Sequence, residues 1–118
     1  MFGIHRILNV TIALSAFSGM SLEAQQTETR LGVKMVDVDL HAVRVQVLGL
    51  DNRREGSPVV VFEAGLTNPL EVWGSIPEHV ATIAPVVVYD RAGLGHSEWD
   101  KARPTPQHVA NRLRQLLQ

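Results

Sequence analysis

Residues 33–50 read VKMVDVDLHAVRVQVLGL, with apolar side chains at alternate positions in two stretches that flank a polar break. A period of two buries one face and wets the other, so the pattern predicts a pair of half-buried strands turning near residues 39–42. The polar segment DNRREGSP, residues 51–58, carries Gly56 and Pro58 and is expected to be an exposed loop. Beyond it, VVVF at 59–62 and VVVY at 86–89 do not alternate. Continuous β-branched and aromatic runs are the pattern of central strands covered on both faces in a parallel sheet. Between them Leu70, Trp73, Ile76, Val80 and Ile83 recur at helical spacing, which predicts one or two short crossover helices with Pro77 in a first turn. Strand, helix, strand makes a right-handed βαβ unit. The closing RPTPQHVANRLRQLLQ predicts a helix capped by Thr105, with Pro106 first and Val109, Leu113, Leu116 and Leu117 on one stripe. The expected class is α/β: a mostly parallel sheet with an antiparallel N-terminal strand pair.

The start of the chain has a different pattern. MFGIHRILNVTIALSAFSGMSLEAQQ holds Arg6, an apolar run over 7–17 and a small-residue exit near Ala24. That order is the pattern of a secretory signal peptide over residues 1–24, followed by a linker over 25–32, and it implies a secreted or periplasmic protein. Asn9 and Thr11 interrupt the run and leave a peripheral N-terminal helix as the alternative. The run is too short to cross about 30 Å of hydrocarbon, so no stable membrane anchor is expected.

Composition narrows the chemistry. A chain of 118 residues is one small domain, and a formal net charge of -1 with 19% charged residues provides no basic patch for nucleic acid. With no cysteine, disulfides, thiolate metal sites and a cysteine nucleophile are excluded. The five histidines lack metal-ligand spacing, so neither a metal nor any other cofactor is expected.

Two loops follow the carboxyl ends of the two apolar runs, where open α/β sheets bind ligands. In EAGLTN, 63–68, Gly65 permits a turn that leaves the Leu66 N–H free to meet a developing oxyanion; an ordinary turn is the plainer alternative. In DRAGLGHSEW, 90–99, Gly95-His96-Ser97 begins like the G-x-S-x-G elbow of a serine nucleophile, but Trp99 stands where the last glycine belongs. Residues 91–94 also separate the motif from the strand, and KARPTP after it is incompatible with the helix an elbow needs. A dinucleotide reading of GLGHSE fails too, because Glu98 replaces the third glycine. The segment is read as a structural turn built by Asp90, Arg91, Gly93, Gly95 and Ser97.

Taken together, residues 58–117, with FEAG, then Trp73, then VVVYDRAGLGHS in that order and spacing, resemble the N-terminal portion of the α/β-hydrolase superfamily. The resemblance runs from about Val33 to the chain end and implies residues 33–118 as an incomplete domain of that fold. It gives Leu66 as an oxyanion-hole N–H beside Gly65, Ser97 as the serine of the family's D-R-x-G-x-G-x-S turn, and Trp73 as a core residue. Glu63-Ala64 departs from the commoner His-Gly. The family's order of nucleophile, acid and histidine places all three beyond Gln118, whereas His41, His79, His96 and His108 precede the nucleophile. His79 and His108 are expected at the surface. The implied function is that of an exported hydrolase of an ester, amide or related bond, inactive as these 118 residues and meeting a small-molecule substrate only in a full-length domain. The alternatives are a small non-catalytic binding domain, a truncated relic or, last, a nucleotide-binding module.

Overall fold

The alternating segment folds as a hairpin in a computed structural model that describes residues 21–23 and 32–118. Strands β1 (Val33–Val38) and β2 (His41–Leu48) pair antiparallel, with Val36 opposite Val43 and Val38 opposite His41. Asp39 (φ 52°) and Leu40 (φ 63°) make the two-residue turn, both left-handed, the geometry that matches the twist of flanking strands. Asp37 Oδ1 accepts the Leu40 N–H at 3.2 Å and holds the turn although neither residue is glycine.

Strands β3 (Val60–Glu63) and β4 (Val86–Tyr89) complete one sheet of order β1-β2-β4-β3. The expectation of a mostly parallel sheet, half of an α/β-hydrolase fold, is corrected here. β4 pairs antiparallel with β2, Val45 facing Tyr89, and parallel only with β3, Val60 facing Val86. The sheet is mixed and mostly antiparallel. The apolar runs misled because they report cover on both faces, which says nothing of strand direction. Nor is β3 central: it ends the sheet and is only half-buried, whereas all four residues of β4 are buried.

Alternation along β4 shows what its run is for. Val86 and Val88 face one layer, a 3₁₀ turn at Leu70–Trp73 and helix α1 (Ile76–Ala81), and pack with Leu70 and Ala81. Val87 and Tyr89 face the other, where helix α2 (Pro106–Leu116) brings Leu116 against Val36, Val38, Val43, Val45 and Tyr89, and Leu117 packs on Val87. The apolar stripe expected from Leu70 to Ile83 is not one face. Gly74 (φ 53°) breaks it between the 3₁₀ turn and α1, which leaves Ile76 and Ile83 exposed. Pro77 lies in the first turn of α1, and Thr105 caps α2 by accepting the His108 N–H at 3.2 Å.

The signal-peptide and linker segments lie outside the described residues, apart from 21–23 and Gly32. Among the described residues no helix is long and apolar enough to cross a membrane.

Candidate functional site

At the carboxyl end of β4 the chain wraps around Asp90, which is wholly buried. Its Oδ1 accepts the Leu70 N–H at 2.6 Å, its Oδ2 accepts the His96 N–H at 3.0 Å, and Arg44 Nη1 lies 3.5 Å away. One carboxylate thus ties the 90–99 loop to the 3₁₀ turn and to β2. Ser97 adds a second tie, its Oγ donating to the Asp90 carbonyl at 2.6 Å while accepting the Arg44 N–H at 2.9 Å. A buried hydroxyl committed on both sides braces the turn and presents nothing to a substrate. Glu98 completes the strap, exchanging two bonds with Ala42 on β2. Gly93 (φ 76°) and Gly95 (φ 52°) supply the left-handed corners.

Arg44 is buried and also reaches Glu71 Oε1 at 2.5 Å. Burial pushes the Glu71 carboxyl up, but the bonds it accepts and the nearby positive charge of Arg44 together hold it below the ordinary range.

The end of β3 is held from β4. Tyr89 Oη donates to Glu63, and burial together with that bond drives the phenol well above its ordinary range. Arg91 pairs with Glu63 at 3.4 Å and donates through Nη2 to the Gly65 carbonyl at 2.6 Å, which also accepts the Asn68 N–H at 3.3 Å. With Gly65 clamped, Leu66 projects from the turn, 77% exposed, and its N–H has no hydrogen-bond acceptor among the described residues. Gly65 is not left-handed, and a methyl group on it would meet only the Asn68 side chain, at 3.3 Å.

A third group escaped sequence reasoning. His108 Nε2 lies 2.7 Å from Asp100 Oδ2, and Arg112, one turn further along α2, lies 3.3 Å from the same oxygen. The i, i+4 spacing of His108 and Arg112 could have signalled a shared helix face. Their acidic partner sits across Pro104 and Pro106, where no periodicity applies. His108, expected at the surface, is therefore half-buried. His79 and His96 are exposed, and His41 Nδ1 lies beside the Asp39 carbonyl; none has a hydrogen bond or ion pair to this group.

Neither protein-family models nor curated proteins return a match to this chain.

Proposed function

We propose that this chain contributes an oxyanion-binding backbone donor, the Leu66 N–H, to an exported serine hydrolase of ester, amide or related bonds, with the nucleophile, acid and histidine carried by residues outside these 118. The observation that carries the reading is the unclaimed Leu66 N–H on a clamped turn at the end of β3. A fixed donor costs no reorganisation when charge develops on a carbonyl oxygen, and one such donor is worth roughly 10²–10³ in kcat. The hydrolase resemblance of residues 58–117 adds the reaction class, and the pattern of residues 1–24 adds export.

Ser97, committed on both sides, provides no activated nucleophile, and acyl transfer needs one together with a base. Intact mass and peptide mapping of the natural protein, after exposure to a serine-directed phosphonate, test the reading. Labelling at a serine beyond Gln118, with loss of about 10²-fold in kcat on Leu66→Pro, supports it. A natural protein whose mass ends at Gln118, or labelling at Ser97, overturns it.

A further inference from the structure

Leu66, Leu94, Trp99 and Val109 come from three separate stretches of the chain and converge on one cavity of about 230 Å³, between the 90–99 loop and α2. Among the described residues, none of the four belongs to the buried clusters on either face of the sheet. Leu66 and Trp99, both largely exposed, form its lip, whereas Leu94 and Val109 are half-buried. Trp99 is seated by Gly93: a methyl group on that glycine would lie 3.1 Å from the indole Cδ1, so only a bare backbone lets the ring rest there. Side chains around an empty apolar space forgo the dispersion contacts that a filled one would give them. Apolar cavities of about 150 Å³ take a benzene ring, so this one has room for a ring with a short substituent.

The charged groups at its edge select against an ion. Arg91 and Arg112 are balanced by Glu63 and Asp100. Arg91 pairs with Glu63 at 3.4 Å and donates to the Gly65 carbonyl at 2.6 Å. Arg112 lies 3.3 Å from Asp100, whose carboxylate also meets His108 and the Ala102 N–H. The Tyr89 hydroxyl is taken by Glu63. The guanidinium nitrogens that make no hydrogen bond, Arg91 Nε and Arg112 Nη2, are buried and do not open on the cavity. A charged ligand would give up its water for a site where each neighbouring charge already has its partner, a cost that an apolar ligand does not meet.

We infer that this cavity binds an uncharged small molecule whose body is a single apolar ring, packed between Trp99, Leu94 and Val109. The inference rests on the cavity and its lining and stands whether or not the chain takes part in hydrolysis.

The test is titration of the full chain with toluene, phenylacetate and benzylamine, which share a ring and differ in charge, followed through the Gly93 amide and the Trp99 indole by nuclear magnetic resonance. Saturable binding of toluene with a Kd on the order of 1 mM is expected, with the acid and the amine each at least about tenfold weaker. Val109→Phe fills the cavity and should weaken toluene binding at least about tenfold with the β2–β4 amide shifts unchanged. Should that variant fail to fold, Trp99→Ala, a change at a largely exposed side chain, removes one wall and should weaken binding by a similar factor at the Gly93 amide. Absence of a saturable shift with toluene, equal or tighter binding of either ion, or unaltered toluene binding in a folded Val109→Phe or Trp99→Ala would each overturn the inference. So would shifts at Gly93 and Trp99 that follow protein concentration and ignore toluene, which would give the cavity to a second copy of the chain.

Discussion

Gly95 sits directly over the carboxylate of Asp90, so closely that a methyl group on it would overlap the carboxylate itself. The glycine is also left-handed, φ 52°, a conformation that costs an L-residue about 1–2 kcal/mol before any clash. Gly95→Ala should therefore destabilise the fold by about 3 kcal/mol, read as a lower urea midpoint at unchanged slope.

Removing the charge beneath it should cost a similar amount. Asp90→Asn keeps the shape but removes the wholly buried negative charge beside the buried Arg44, whose ion pair with Glu71 is half-exposed, and turns one acceptor toward a donor. Breaking a buried pair by neutralising one partner costs about 3 kcal/mol or more. Equilibrium unfolding of the variant checks this, and a loss below about 1 kcal/mol would mean that Arg44 does not depend on the Asp90 charge.

Ser97→Ala separates a brace from a nucleophile. It removes the hydroxyl that bonds both the Arg44 N–H and the Asp90 carbonyl and should cost about 2 kcal/mol of stability. Phosphonate labelling of these 118 residues, absent before the change, should remain absent after it.

Acid should weaken the joint between α2 and the 90–99 loop. Burial pushes the Asp100 carboxyl up, but the bond from His108, the Ala102 N–H and the charges of His108 and Arg112 together hold it below its ordinary 3.8. Its folded-state value is depressed, so the stability it contributes is complete above that ordinary value and is lost as pH falls through the lowered one. Urea midpoints measured from about pH 5 to about pH 2 should fall less steeply in Asp100→Asn than in the unaltered chain.

The opposite sign holds for Tyr89, the chain's single tyrosine. Its folded-state phenol is raised, so unfolded chains lose this proton first and stability falls as pH rises past the ordinary 10.0. Tyrosinate absorbance should stay absent until the protein unfolds at alkaline pH, then appear together with the loss of structure. Glu63→Gln, which removes a charge beside the phenol, should let the two transitions separate.

The sequence carried the local structure well and the global arrangement less well. Alternation placed β1 and β2, and proline and threonine placed the start of α2, because these depend on side chains a few residues apart. VVVF and VVVY identified two strands, of which only β4 is buried, but not their neighbours: β4 sits between an antiparallel and a parallel partner, a choice made by residues far away along the chain. Asp90, Gly93, Gly95 and Ser97 were readable as a turn from their types alone. Asp100 was not linked to His108 and Arg112, because a proline-broken connection has no period to reveal which side chains meet across it.

The placement of β4 also bears on biosynthesis. It is the last of the described strands to be made, yet it lies between β2 and β3, and β3 has no other partner among the described strands. Until Tyr89 has left the ribosome, the described strands amount to a lone hairpin, a marginal structure in water, and an unpaired apolar segment that a chaperone would still find extended.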